Sequence, residues 1–191
     1  MLLHYQILIL ASTIIWLFPP IRQYKQNYFW LFFVLAITDP LSHLFARQLG
    51  FIPSQFYVLF TTLFFFSLID FKGLNLYKIA FYLVLIFLSV FSFVNFWEFS
   101  THYIVVTFSL ILFIITKNSI LFVVNTGAIN TFHIVLIFYI LSNILKFWNT
   151  LAQFETGIVF FYITTWFQVL VGLFFSIYKE DNPKLLIKIG G

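Results

Sequence analysis

The sequence predicts an all-α fold: a polytopic integral membrane bundle of seven transmembrane helices, amino terminus outside and carboxyl terminus cytoplasmic. Three observations predict it. Of 191 residues, 62% are apolar and 8% charged, whereas a soluble domain carries about a quarter charged residues to face water. Apolar runs return about every 25 residues, as repeated crossings of a hydrocarbon core about 30 Å thick require. Finally, the basic residues between the runs are asymmetric. With the amino terminus outside, Arg22, Lys25, Lys72, Lys78, Lys117, Lys179, Lys184 and Lys188 fall on the cytoplasmic side and only Arg47 and Lys146 on the other, in keeping with the positive-inside rule.

A span needs about 20 apolar residues at about 1.5 Å rise each, and that ruler places spans at 2–18, 28–49, 55–71, 76–97, 102–124, 126–147 and 157–178. No Lys or Arg precedes Leu2 to Phe18, and Pro19-Pro20 follow it, so it is expected to be a retained helix rather than a cleaved signal. Pro19-Pro20 with Arg22, Lys25 and Asn27 make the first connection, and Gly50 to Ser54 with Pro53 the second. Turns are expected at Lys72-Gly73-Leu74-Asn75 and Glu98 to Thr101, and a longer polar interval at Asn149 to Gly157. Between the fifth and sixth spans, Lys117-Asn118 and Asn125-Thr126-Gly127 compete as the break, which leaves a six-helix alternative. Trp30, Trp97 and Trp148 fall near span ends, where interfacial aromatic residues belong; Trp16 and Trp166 lie deeper.

One transmembrane domain is thus expected over 1–178, with a short basic cytoplasmic tail at 179–191. The tail is far below the roughly 50 residues of a folded domain, so function is expected among the helices or through another chain. The absence of cysteine excludes disulfides, thiolate metal sites and thiol nucleophiles. A net charge of +4 is spread singly between apolar runs, which points to topology rather than nucleic acid.

An ionisable side chain at the centre of a span costs about 2.5–3.5 kcal/mol to insert, so it needs a partner, a wet cavity or a function. Asp39, His43 and Arg47 stand at i, i+4 and i+8 of the second span. They drift only about 80° around the helix and form one stripe about 12 Å long. Pro40 removes the backbone donor to the Ala36 carbonyl and favours a kink beside the acid. The stripe is a candidate ligand or proton site opening outward; alternatively its members satisfy one another, with Arg47 reaching headgroups. In the sixth span Thr126, Asn130 and His133 form a second polar seam, either completing that site or bonding between helices. Thr164, Thr165 and Gln168 in the seventh are uninformative alone.

No cofactor or metal is expected. His4 and His133 differ in depth, His43 with His102 is the one tolerable pair for haem, and no His-x-x-His or Glu-x-x-His spacing occurs. Asp70, Glu98 and Glu155 sit at span ends or in loops and read as solvated. A retinal protein would need a lysine in 157–178, and there is none; no internal repeat carries the matched prolines of a sugar facilitator, and no protease, acyltransferase or other catalytic motif occurs.

Tyr28 to Trp30, Asp39, a Phe147-Trp148-Asn149 turn and the Phe160-Phe161-Tyr162 run carry a resemblance over the whole chain. In these the chain resembles the bacterial seven-helix sensor modules that precede histidine kinases, here without an output domain. The resemblance implies sensing of a ligand or of membrane state through a separate cytoplasmic or membrane partner. The expectation is therefore a non-enzymatic sensor or accessory subunit in the bilayer of the cell inner membrane. The alternatives are a small proton-coupled carrier using Asp39 and His43, and a structural assembly subunit.

Overall fold

In a membrane no water is at hand to satisfy backbone polar groups, so apolar segments close their hydrogen bonds within helices. A computed structural model describes residues 2–50, 54–69, 76–94, 97–152 and 157–189, and it is all-α apart from one small ribbon. In chain order the elements are α1 (Leu2–Trp16), α2 (Phe18–Arg22), α3 (Phe29–Leu49), α4 (Ser54–Ser67), α5 (Leu76–Val94) and α6 (Trp97–Thr126). They continue with β1 (Ala128–Asn130), α7 (Thr131–Leu151), α8 (Gly157–Ile177), a 3-10 turn (Pro183–Leu185) and β2 (Leu186–Lys188).

Among the described residues, four helices are long and apolar enough to cross a membrane: Phe29–Gln48, Phe99–Thr126, Thr131–Leu151 and Val159–Ile177. Three shorter apolar stretches accompany them, Ile7–Arg22, Gln55–Ser67 and Lys78–Phe91. The 14 residues of α4 rise only about 21 Å. The chain is thus a multi-pass membrane protein by its long helices. Its polarity agrees: Phe87, Phe113, Val124 and Leu170 face outward, while Thr61, Thr62, Thr101 and Thr107 are buried. Thr62 links three helices, its hydroxyl 2.7 Å from that of Tyr103 on α6 and 3.2 Å from that of Ser89 on α5, the polar glue expected where apolar surface has no drive to associate.

Several expected boundaries shift, each for a local reason. Pro19-Pro20 do not form a loop; they lie in α2, where a first helical turn needs no N–H from proline. The helix α3 runs through Pro40 and ends as anticipated at Gly50, whose φ of +76° suits glycine. Lys117-Asn118 lie inside α6, and the chain turns instead at Gly127, φ +64°, whose N–H bonds the Val123 carbonyl at 2.8 Å. The next helix starts at Thr131 because Ala128–Asn130 pair antiparallel with Leu186–Lys188. Asn149 and the Phe147-Trp148-Asn149 segment are helical rather than a turn, since α7 continues to Leu151. The turn at Lys72 to Asn75, Pro53, Asp70 and Glu155 lie outside the described residues, as do the side chains of His4, Trp97 and Glu98.

The segment beyond α8 is docked, not free. Gln23, fully buried at the end of α2, donates to the Phe175 and Tyr178 carbonyls at 3.0 and 2.7 Å and accepts from the Glu180 N–H at 3.2 Å. Thr131 donates to the Leu185 carbonyl at 3.0 Å, and the Ile189 N–H to the Gly127 carbonyl at 2.9 Å. One end of the bundle is thereby closed by the α2–α3 connection, the β1–β2 ribbon and the tail. Above this cap sits an aromatic core: Phe32 and Phe132 each stand 4.8 Å from Phe175, ring centre to ring centre, and Trp16 stands 4.7 Å from Tyr139. Gly172 makes room for it, because a Cβ there would come within 2.8 Å of Ile15 Cγ2 and 3.2 Å of Trp16 Nε1.

Candidate functional site

Since α3 and α7 both start at the capped end, their carboxyl-terminal halves lie toward the opposite end. Between those halves the bundle holds a cavity of about 490 Å³. Its walls come from α1, α3, α4, α6, α7 and α8. The lining residues His43, Thr150 and Phe161 are exposed, so the cavity reaches the surface beside them. Trp16 and Tyr139 also line it, so the aromatic core is its floor.

Helical periodicity positions the polar groups. On α3, Asp39, Ser42 and His43 occupy one turn and all reach the cavity. On α7, Tyr139, Asn143, Lys146 and Thr150 recur at steps of four, three and four, which keeps them on one face. On α8, Thr165 and Gln168 complete the wall. Asp39, His43 and Lys146 thus face the same space from two helices. His43 Nε2 lies 3.0 Å from Thr13 Oγ1, and that hydroxyl donates to the Ile9 carbonyl at 3.0 Å, which leaves it an acceptor for the imidazole N–H. The Gln168 amide donates to Asn143 Oδ1 at 3.3 Å, and Asn143 Nδ2 in turn donates to the Tyr139 carbonyl at 3.0 Å. The result is a polar, aromatic-walled chamber inside an apolar bundle, suited to holding a small molecule.

Two members of the expected stripe, Asp39 and His43, are therefore together in the cavity, while Arg47 is exposed near the end of α3 and is not among the lining residues. The second seam does not hold as one helix face, because Gly127 and β1 break the helical phase between its members. Thr126 ends α6 and donates to its own Phe122 carbonyl at 2.7 Å. Asn130 caps α7, accepting the Phe132 N–H at 3.0 Å and donating to the Glu180 carbonyl at 2.9 Å. His133 is buried with Nε2 3.5 Å from Glu180 Oε1, whose carboxylate is also held by the Asn27 backbone and side chain. These groups belong to the cap, at the opposite end from the mouth, and do not complete the Asp39 site. His102, which with His43 is the one tolerable pair for haem, is an exposed neighbour of the lining residue Thr101. Among the described residues no group of three or more His, Cys, Asp or Glu side chains is placed to hold a metal ion.

Lys146 and Asn143 are cavity residues that sequence reasoning did not select. The signal lies in the steps from Tyr139 to Thr150, but a span closing at 147 puts Lys146 at its end, where it reads only as a topology charge. Because α7 runs to Leu151, the lysine lies more than a turn inside its helix. Compared with protein-family models, with curated proteins and with solved structures, the chain shows no match. Function is accordingly argued from the chemistry of the cavity itself.

Proposed function

We propose that this protein is a non-enzymatic, receptor-like membrane subunit that binds a small ligand in the Asp39–Lys146 cavity and signals through a separate partner. In this reading α1–α2, α4 and α5 join the four long helices as spans, making seven. The mouth opens outward, and the cap with its basic tail faces the cytoplasm of the inner membrane. With Lys117 inside α6 and Lys146 in the cavity wall set aside, the bias of seven basic residues against Arg47 supports that orientation. The observation that carries the proposal is the cavity of about 490 Å³, with an acid and a lysine in its wall. An assembly subunit would turn such a stripe toward lipid or a partner chain.

A contact path favours a receptor over a carrier. Trp16 and Tyr139 at the cavity floor lead through Phe32, Phe175 and Phe132 to Tyr28 and His133. From there the Glu180 carboxylate and the tail follow. In this reading a ligand that shifts the floor acts through these packed rings on the tail, where a partner reads it. A carrier would instead have to part this packed core and the cap in every cycle.

Because the chain has no cysteine, single cysteines test the arrangement. Ser42→Cys is expected to react with an impermeant thiol reagent added to intact cells, and Lys184→Cys only after permeabilisation. The reverse pattern refutes the orientation. Proteoliposomes are expected to show no proton flux above empty vesicles; a flux abolished by Asp39→Asn would assign the carrier role instead.

A further inference from the structure

Two opposite charges share one cavity wall system, Asp39 on α3 and Lys146 on α7, within a bundle that offers little other charge to offset a third. Counted from the capped end, where both helices begin, Asp39 lies ten residues beyond Phe29 on α3 and Lys146 fifteen residues beyond Thr131 on α7. The cavity is therefore dipolar along its length, acid deep and base shallow. Around these groups Trp16, Tyr57, Phe60 and Phe108 supply apolar wall. We infer that the ligand of this cavity is a zwitterion, an ammonium and a carboxylate on an apolar body, bound with the ammonium at Asp39 and the carboxylate at Lys146.

The inference rests on the ligand-binding reading above and adds the chemical class. A charge moved out of water is tolerated only when compensated, and the cost of an unpaired one far exceeds that of burying an apolar group. A purely cationic ligand meets Asp39 but brings its charge to a site that Lys146 already balances. An anion has the mirror-image problem. A zwitterion satisfies both groups and leaves the chamber neutral, and its apolar body replaces water against the aromatic wall. The volume of about 490 Å³ lies in the range of about 300–1,000 Å³ typical of small-molecule sites.

The test uses Ser42→Cys full-length protein in nanodiscs and the rate of its labelling by N-ethylmaleimide. Three probes share one ring and differ in charge: phenylalanine, phenethylamine and 3-phenylpropionate. Phenylalanine is expected to slow labelling at a concentration at least tenfold below either of the others. Adding Lys146→Met should move the preference to phenethylamine, and adding Asp39→Asn should move it to 3-phenylpropionate. A singly charged probe that protects as well as phenylalanine in the otherwise unaltered chain overturns the inference, whether or not the double variants fold. Labelling that no probe slows also overturns it while leaving an accessible cavity. Absence of labelling at both Ser42→Cys and Ser12→Cys removes the cavity reading itself.

Discussion

Replacing Gln23 by alanine should release the cap. Its amide is fully buried and makes three hydrogen bonds, donating to the Phe175 and Tyr178 carbonyls and accepting from the Glu180 N–H. Those two carbonyls belong to the last turn of α8 and to the residue after it, and lack the amide partners that a continuing helix would supply. Gln23→Ala leaves three backbone groups without these partners, at about 1 kcal/mol each where water can reach and up to about 3 kcal/mol for a buried one. The total is about 3–5 kcal/mol, and for a chain of this size each kcal/mol corresponds to about 2–4 °C in Tm. A fall of roughly 6–20 °C is therefore expected in detergent. Gln23→Glu should do at least as much damage, because it keeps an acceptor for Glu180 N–H but turns carboxylate oxygen toward two carbonyls. Thermal unfolding measures the loss, and limited proteolysis after Lys179 or Lys184 measures tail release. A Tm within about 1 °C of the parent, with the tail still protected, would refute the claim that Gln23 holds the cap.

Two glycines should fail for different reasons. At Gly172 the obstacle is contact: a Cβ meets Ile15 Cγ2 at 2.8 Å and the Trp16 ring at 3.2 Å. Gly172→Ala should therefore cost about 1–3 kcal/mol by overpacking and shift Trp fluorescence, with the loss partly recovered by Ile15→Ala. At Gly127 nothing lies within 4 Å of a Cβ, but φ is +64°. Gly127→Ala should cost about 1–2 kcal/mol of backbone strain, with Gly127→Asn milder and Ile15→Ala giving no rescue; equal rescue at both sites in thermal unfolding would contradict the distinction.

What could be read along the chain depended on how far apart the interacting residues are. Asp39 and His43 were legible as one site because four residues make one helical turn, and both do line the cavity. The Thr126–Asn130–His133 seam used the same arithmetic and failed, since a positive φ at Gly127 and three residues of strand interrupt the helix between them. Lys146 is visible but its helix is longer than the hydropathy suggests, since a polar residue such as Asn149 continues a helix when neighbours bury it. The docking of the tail has no local signal, because Gln23 meets Glu180 across most of the chain and Asn130 meets it from 50 residues away.

By itself the amino-acid sequence determined that this protein is helical and enters the membrane several times. Those properties follow from counting apolar residues against the thickness of a bilayer and from the need to satisfy backbone groups locally. It also singled out Asp39, because an acid in such a segment is costly wherever it faces. Only the tertiary structure decided which groups share a chamber with it, that the far end of the bundle is shut by a folded tail, and that an aromatic core joins the two. Helix periodicity sets which residues share a face, but the face a helix presents to its neighbours is chosen by packing among all of them at once. That choice is made by shape and by hydrogen bonds between distant residues.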